Sequence, residues 1–392
     1  MQLAHCMRRA LALVAIALFA ATAAGYDGTV DKKTFTLPSY TTVGGKTIKN
    51  VRVGYETYGT LNAAGDNAIF IPHFFTGTSH AAGKYAAADA TAGIWDAIIG
   101  SGKPIDTDKY FVISADTLVN VGTKDPKVVT TGPASIDPDT GKPYGMTFPV
   151  VSYRDSVRVH KALVDSLGVK KLKAVAGASG GSMQAMEWGA LYPDFVERVI
   201  HVIGPGFDIQ PLVVELLDVW VMPIRVDPKW NGGDYYGKDE PSEGVAKALE
   251  IVTISTRHFG WAEKTFGYKW ADATKNPGDA MGNVYAIEDT LAKAGVARAK
   301  TVDANSMLYT AKANQLYRLT DEEIKRMKAK LLLVPASSDM LFPPEFAKRA
   351  AERYRAQGGV AEVFVIEGDG GHLDGLLAIS KAGEAIRAFL AK

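Results

Sequence analysis

Five residues, Gly177-Ala178-Ser179-Gly180-Gly181, constrain the fold of this chain more than any other part of it. An apolar run from Lys171 to Ala176 leads straight into them, and a helix-forming run from Ser182 to Leu191 leads straight out. A chain that passes from strand to helix in so few residues must turn sharply, and glycines on both sides of the serine leave room for that turn. The pentapeptide alone is a weak signal, because an ordinary Gly-rich turn can carry a serine. Its setting gives it weight. The turn lifts the serine oxygen above the carboxyl end of a strand, where open parallel sheets bind their ligands.

The same strand-helix alternation extends along the chain. Val51, Val53 and Tyr55 alternate with polar residues, as in a half-exposed strand. Ala68 to Ile71, Tyr110 to Ile113, Arg198 to Ile203, Lys330 to Val334 and Ala361 to Ile366 are short β-type runs. Arg154 to Leu167, a stretch near Pro344 to Tyr354, and Leu376 to Leu390 are helical by period or composition. This order specifies an α/β fold, a mostly parallel sheet with helices on both faces. The alternation stops between about Gly204 and Lys328, where helical pieces, aromatics and the turn signal Asn231-Gly232-Gly233-Asp234 take over. Residues 25–204 and 329–392 are therefore expected to form the core, with 205–328 inserted as a helical cap over the site. A chain of 392 residues, 47% hydrophobic, is long enough for one such domain.

Residues 1–24 read as a signal peptide, with Arg8 and Arg9 before the apolar run Leu11 to Ala20 and a small-residue cleavage signature at Ala21-Thr22-Ala23. The expected location is exported, periplasmic or secreted, with no membrane span after cleavage. Cys6, the only cysteine, precedes the apolar run, whereas a lipid-anchored cysteine follows it. The mature chain then has no disulfide and no cysteine nucleophile. A net charge of +1 argues against nucleic acid as a partner. No metal cluster, phosphate-binding loop or dinucleotide fingerprint is visible, so no cofactor and no metal are expected.

A serine hydroxyl needs a base and an orienting carboxylate, and in folds with this turn they follow in the order serine, acid, histidine. Asp339 lies just past the Lys330 to Val334 strand, and His372 lies in Gly370-Gly371-His372 before the last helix. Asp339 can also be read as a helix N-cap ahead of Pro343 and Pro344, and His372 as a solvated loop histidine. His73, His80 and His160 precede the serine, His201 sits within a strand and His258 within the cap. Ser179, Asp339 and His372 form the expected triad. An oxyanion hole needs two backbone N–H groups. Gly180 offers one and Phe75 the other, from the loop His73-Phe74-Phe75-Thr76-Gly77. The rings of Phe74 and Phe75 suit core packing as well as pocket lining.

These residues resemble the homoserine O-acetyltransferase family of α/β hydrolases. The likeness is carried by Tyr153-Arg154-Asp155-Ser156-Val157, by Ala176 to Trp188 around the serine, by Asp339-Met340-Leu341-Phe342-Pro343-Pro344, by His73 to Gly77 with His80, and by Asp227 to Tyr235 in the cap. The resemblance implies the α/β-hydrolase fold with a helical cap, an acyl-serine intermediate, acetyl-CoA as co-substrate if the acyl group goes to an alcohol, and a homodimer joined through the caps. Two positions depart from the family pattern. The cap arginine that binds the substrate carboxylate is matched by Val221, with Arg225 displaced, and the acid that directly follows the triad histidine is replaced by Leu373, with Asp374 one place later. Phe74, Arg225 and Asp374 are the candidate pocket residues. With both amino-acid contacts altered and an export signal in front, the expectation is an exported carboxylic-ester hydrolase acting on a small-molecule ester; the alternative is an O-acyltransferase. A binding protein without chemistry would not need the complete triad.

Overall fold

The computed structural model describes residues 28–392, so the leader segment expected at residues 1–24 lies outside the described residues. β1 (Lys33–Thr41) and β2 (Thr47–Tyr58) form an antiparallel hairpin. β3 (Ala68–Pro72) follows, then β4 (Ile99–Gly100) and β5 (Ile105–Asp106), which pair only with each other, then β6 (Phe111–Ala115). α1 (Tyr153–Ser166), β7 (Leu172–Ala178), α2 (Gly180–Leu191) and β8 (Arg198–Val202) complete the first half. Six helices then intervene: α3 (Pro211–Val226), α4 (Ser242–Ser255), α5 (Phe259–Thr265), α6 (Ala286–Ala299), α7 (Ala304–Gln315) and α8 (Asp321–Arg326). The chain returns to the sheet with β9 (Lys330–Val334), α9 (Pro344–Ala356) and β10 (Ala361–Val363), and ends in α10 (Asp374–Leu377) and α11 (Gly383–Ala391).

Eight strands share one sheet in the order β1-β2-β6-β3-β7-β8-β9-β10, parallel from β6 onward. Successive side chains of a strand point to opposite faces. Phe70, Val175, Val199 and Leu331 accordingly join Leu163, Met183 and Trp188 in one core, while Ile69, Ile71, Ile200 and Leu332 join Trp95, Ile386 and Phe389 in the other. Helices cover both faces, so the central strands read as unbroken apolar runs rather than as alternations. Burying each large side chain contributes about 1.5–3 kcal/mol before the entropy of ordering it is charged.

The intervening helices pack on one another, α3 on α4 and α7, and α4 on α6. The segment Asp227 to Tyr235 braces them. Asn231, Gly232 and Gly233 all take positive φ (47°, 64° and 93°), which turns the chain back sharply. Asp227 accepts from Lys229 N–H and Gly244 N–H, both at 2.9 Å, and so ties the end of α3 to α4. Buried Asp303 accepts from Tyr235 Oη at 2.5 Å, Tyr236 Oη at 3.2 Å and Ser306 N–H at 2.8 Å. Arg154 of α1 pairs with Glu187 of α2 at 2.9 Å and Glu323 of α8 at 2.7 Å, which joins these helices to the core.

Two expected elements differ. The strand expected over Ala361 to Ile366 stops at Val363, leaving a single bridge from Ile366 to Ala336. The helix expected over Leu376 to Leu390 is broken: Ala378 leaves helical dihedrals (φ −114°, ψ 18°), a 3-10 turn spans Ile379–Ala382, and α11 restarts at Gly383. The break lets Gly383 approach Pro104, whose Cγ lies 2.9 Å from where a Cβ would stand.

Candidate active site

Ser179 stands between β7 and α2 with φ 54° and ψ −119°, a conformation that costs an L-residue free energy. Neighbouring glycines make it possible. A Cβ on Gly177 would fall 2.3 Å from Gly181 O, and one on Gly181 would fall 2.3 Å from Pro72 O at the end of β3. The turn is held by Ser179 N–H donating to Val202 O at 2.9 Å and by Ser182 Oγ donating to Ser179 O at 2.6 Å. Ser179 is half-buried, while its neighbours Ala178 and Gly180 are buried.

Asp339 and His372 come from the loops after β9 and β10, and the structure brings them together. His372 Nδ1–H donates to Asp339 Oδ2 at 2.7 Å, since an ionised carboxylate only accepts. The other carboxylate oxygen accepts from Leu341 N–H at 2.9 Å and Phe342 N–H at 3.0 Å. This holds the imidazole with Nε2 as its free lone pair, and Nε2 is buried without a hydrogen-bond partner. Ser179 and His372 line the same cavity, of about 310 Å³. Ser337 and Ser338 stitch the two loops together, a role that no motif announced. Gly368 N–H donates to Ser337 Oγ at 3.1 Å, and Gly371 N–H donates to Ser338 Oγ at 3.0 Å.

Opposite lies the loop after β3. Gly180 is the first residue of α2, where an N–H has no intrahelical acceptor. Phe75 N is 3.5 Å from the point where a Cβ on Gly180 would stand, so the two backbones run side by side. The loop is rigid by construction. His73 Nδ1–H donates to Phe74 O at 2.8 Å while Nε2 accepts from Thr117 N–H at 3.1 Å. Burial pushes His73 below its ordinary pKa and keeps it neutral. Gln184 Nε2 donates to His73 O and Asn120 Nδ2 to Gly77 O, at 3.1 and 3.0 Å. Behind it, Glu56 binds Lys32 (2.9 Å), His80 (3.0 Å), Tyr58 (2.7 Å) and Tyr85 (2.6 Å), and Asp116 accepts from Ser79 N–H at 2.8 Å.

The expected pocket residues fare unequally. Phe74 and Phe75 line the Ser179 cavity. Arg225 does not: it pairs with Asp218 at 2.5 Å and lines a separate cavity of about 280 Å³ with Val221. Trp220 is the α3 residue that reaches the Ser179 cavity, and five further residues turn the helix by about 140°. Asp374 is likewise turned away. It accepts from Gly370 N–H at 3.0 Å and packs on Gly368 and Gly370, while Leu373 takes the place in the cavity. Two charged lining residues escaped the motifs altogether, Arg257 after α4 and Arg298 on α6. They belong to no spacing pattern and lie far from the triad in sequence. Among the described residues, no group of three His, Cys, Asp or Glu side chains is placed to hold a metal ion, and no helix is long and apolar enough to cross a membrane.

Comparison with known proteins places this geometry. The family model for the alpha/beta hydrolase fold matches residues 93–378. A homoserine O-acetyltransferase from Deferribacter desulfuricans is 38% identical over 363 residues, 89% of this chain and 92% of that protein. The crystal structure of homoserine O-acetyltransferase from Bacillus anthracis is 37% identical with a TM-score of 0.88, covering 93% of this chain and 98% of that one. The crystal structure of esterase E22 is 43% identical, also with a TM-score of 0.88, covering 92% of this chain and all of that one. The expectation of a carboxylic-ester hydrolase is corrected here. Curated relatives spanning about nine-tenths of the chain are homoserine O-acetyltransferases, which puts acyl transfer to an alcohol ahead of hydrolysis.

Proposed function

The chain belongs to the homoserine O-acetyltransferase-like family of the α/β-hydrolase fold, and on that footing we propose that it is an O-acyltransferase carrying an acetyl group from acetyl-CoA, through Ser179, to the hydroxyl of a small acceptor. The observation that carries the reading is the Asp339–His372 hydrogen bond of 2.7 Å, with Nε2 left unpartnered in the cavity that Ser179 also lines.

His372 Nε2 takes the Ser179 proton as the oxygen attacks the thioester carbonyl. The N–H groups of Phe75 and Gly180 hold the oxyanion, each worth about 3 kcal/mol in the transition state. The C–S bond breaks, the thiolate leaves with the proton from His372, and an acetyl-serine remains. In the second half the acceptor hydroxyl gives its proton to Nε2, attacks the acetyl-serine carbonyl, and departs as the ester while Ser179 regains its proton. Asp339 orients the imidazole and stabilises its charged form in both halves.

Phe74, Phe75, Trp220, Leu373 and Leu376 line the cavity with Ser179, and such side chains suit the carbon chain of a small acceptor. Exposed apolar side chains on the intervening helices, Leu212, Met222 and Val226 on α3 and Phe259 on α5, support the proposal of a homodimer through these helices.

Release of free thiol from acetyl-CoA, measured with and without four-carbon hydroxy acceptors (L-homoserine included), tests the reading. Thiol release is expected to depend on the acceptor, to yield the O-acetyl product, and to vanish in Ser179→Ala. Release at the same rate without any acceptor would overturn it.

A further inference from the structure

Two guanidinium groups line the Ser179 cavity, and no carboxylate lines it. Arg298, on α6, donates from Nη1 to Thr253 Oγ1 at 3.0 Å. Burial lowers its pKa. Arg257, just past α4, stacks on Trp261 at 4.4 Å, and its Nε is buried with no hydrogen-bond partner. The one acid whose charge reaches it is Asp374, which is itself held by Gly370 N–H. Neither arginine forms an ion pair among the described residues. Both guanidiniums are half-buried and have no acidic partner, and a partly desolvated cation is normally matched by an anion. Here the missing partner is an anion, and the space for it is the cavity that holds Ser179 and His372.

What the cavity lacks matters equally. An acceptor amino group, as an ammonium, needs a carboxylate, and Leu373 occupies the position nearest His372 while Asp374 faces Gly368 and Gly370. An ammonium brought in beside two guanidiniums would be repelled and left unpaired.

Resting on the acyl-transfer reading above, we propose that Arg298 and Arg257 form a carboxylate subsite, and that the acceptor is a hydroxy acid without an α-amino group. The carboxylate is held between α6 and the end of α4, the hydroxyl reaches His372 Nε2 and the acetyl-serine, and the apolar lining covers the carbon chain between them. Arg298 and Arg257 are positioning residues: they set where the hydroxyl arrives and take no part in the proton transfers.

Three acceptors of one chain length separate the terms: 4-hydroxybutyrate, L-homoserine and 1,4-butanediol share the terminal hydroxyl and differ at the far end. With acetyl-CoA as donor, kcat/KM for 4-hydroxybutyrate is expected to exceed that for L-homoserine by at least about ten-fold. Arg298→Gln is expected to lower the 4-hydroxybutyrate value roughly 30-fold or more, through KM, and to leave 1,4-butanediol and the KM for acetyl-CoA within about three-fold. Arg257→Gln supplies an independent variant on the other side of the subsite. Labelling of Ser179 by a fluorophosphonate at the wild-type rate shows that each variant keeps the catalytic site intact.

A preference for L-homoserine, or an equal loss on the charged and neutral acceptors, would overturn the proposal. A rise in KM for acetyl-CoA alone would assign the guanidiniums to the donor's phosphates and overturn it equally. If no acceptor supports transfer, the acyl-transfer reading fails and the subsite is judged separately. In that case 4-hydroxybutyrate, but not 1,4-butanediol, should slow fluorophosphonate labelling of the wild type and not of Arg298→Gln. Absence of that protection would refute the subsite.

Discussion

Replacing Asp339 by asparagine exchanges one oxygen for an NH2 group and leaves the volume almost unchanged. The structure says which oxygen must stay. Oδ1 accepts from Leu341 N–H and Phe342 N–H at 2.9 and 3.0 Å, so the amide oxygen takes that position. The amide nitrogen is then forced into the place of Oδ2, 2.7 Å from His372 Nδ1. Two N–H donors cannot face each other at that distance, so the imidazole must adopt the other tautomer, with its proton on Nε2. A protonated Nε2 cannot take the Ser179 proton. The loss of kcat should approach 10⁴-fold, as for an acid-to-amide change at a comparable triad, or about 5.5 kcal/mol of barrier. Folding should change by less than about 1 kcal/mol, because both backbone donors keep their acceptor. Acceptor-dependent thiol release gives kcat, and a urea titration gives stability. The reasoning is refuted if kcat stays within about ten-fold of wild type, and equally if the loss of activity comes with several kcal/mol of unfolding.

Three further changes probe the support of the site. Lys32→Met should destabilise the protein by about 3–5 kcal/mol in urea, because Glu56 and Asp116, both fully buried, lose the ammonium at 2.9 and 3.5 Å; a loss under about 1 kcal/mol would show that His80 and the tyrosines neutralise the cluster without it. Burial, working against the pull of Arg154, lifts Glu187 to about 7. The native state then holds this proton more tightly than the unfolded chain, so the contribution is complete below about 4.5 and is lost as pH rises through about 7. Glu187→Gln should flatten that fall in stability, on the order of 3 kcal/mol, and an unchanged pH profile of Tm would contradict it. Gly371→Ala should cost about 2–4 kcal/mol, since φ is 76° and the new Cβ would stand 2.7 Å from His258 N; a fully stable, active variant would show the loop can move aside.

The strands and the Asp339–His372 pair were legible because each rests on a local rule. Continuous apolar runs mark doubly covered strands, and the order of serine, acid and histidine along the chain left few candidates. Arg257 and Arg298 were not legible. α6 mixes alanine, glycine and charged residues around its whole circumference, so no apolar stripe tells which side faces the cavity. Arg225 and Asp374 were misplaced for a geometric reason. Asp374 is one residue past Leu373, a helical rotation of about 100°, and Arg225 is five residues past Trp220, about 140°, and each turn takes the side chain away from the Ser179 cavity. The broken C-terminal helix escaped because its interruption answers a tertiary contact, Gly383 against Pro104, which no local preference encodes.

The reacting atoms and the groups that would choose the acceptor come from different parts of the molecule. Ser179, Asp339, His372 and the Phe75 N–H all stand on turns at the carboxyl ends of strands, where the sheet and its two cores hold them. Trp220, Thr253, Arg257 and Arg298 come from the helices inserted between β8 and β9, which pack mainly on one another. Under the proposed acyl transfer, the inserted helices can therefore change the acceptor without disturbing the nucleophile. The separation is incomplete at one point. Gly371, next to His372, lies against the end of α4, within 2.7–2.9 Å of His258 N and Thr256 O measured from its missing Cβ, and Arg257 sits between those two residues. A substitution that shifts the end of α4 to suit another acceptor also presses on the loop that aims the imidazole. Changes of acceptor made through Arg298 on α6 should leave kcat for a neutral alcohol unaltered, whereas changes made by moving the end of α4 should carry a cost in kcat for every acceptor.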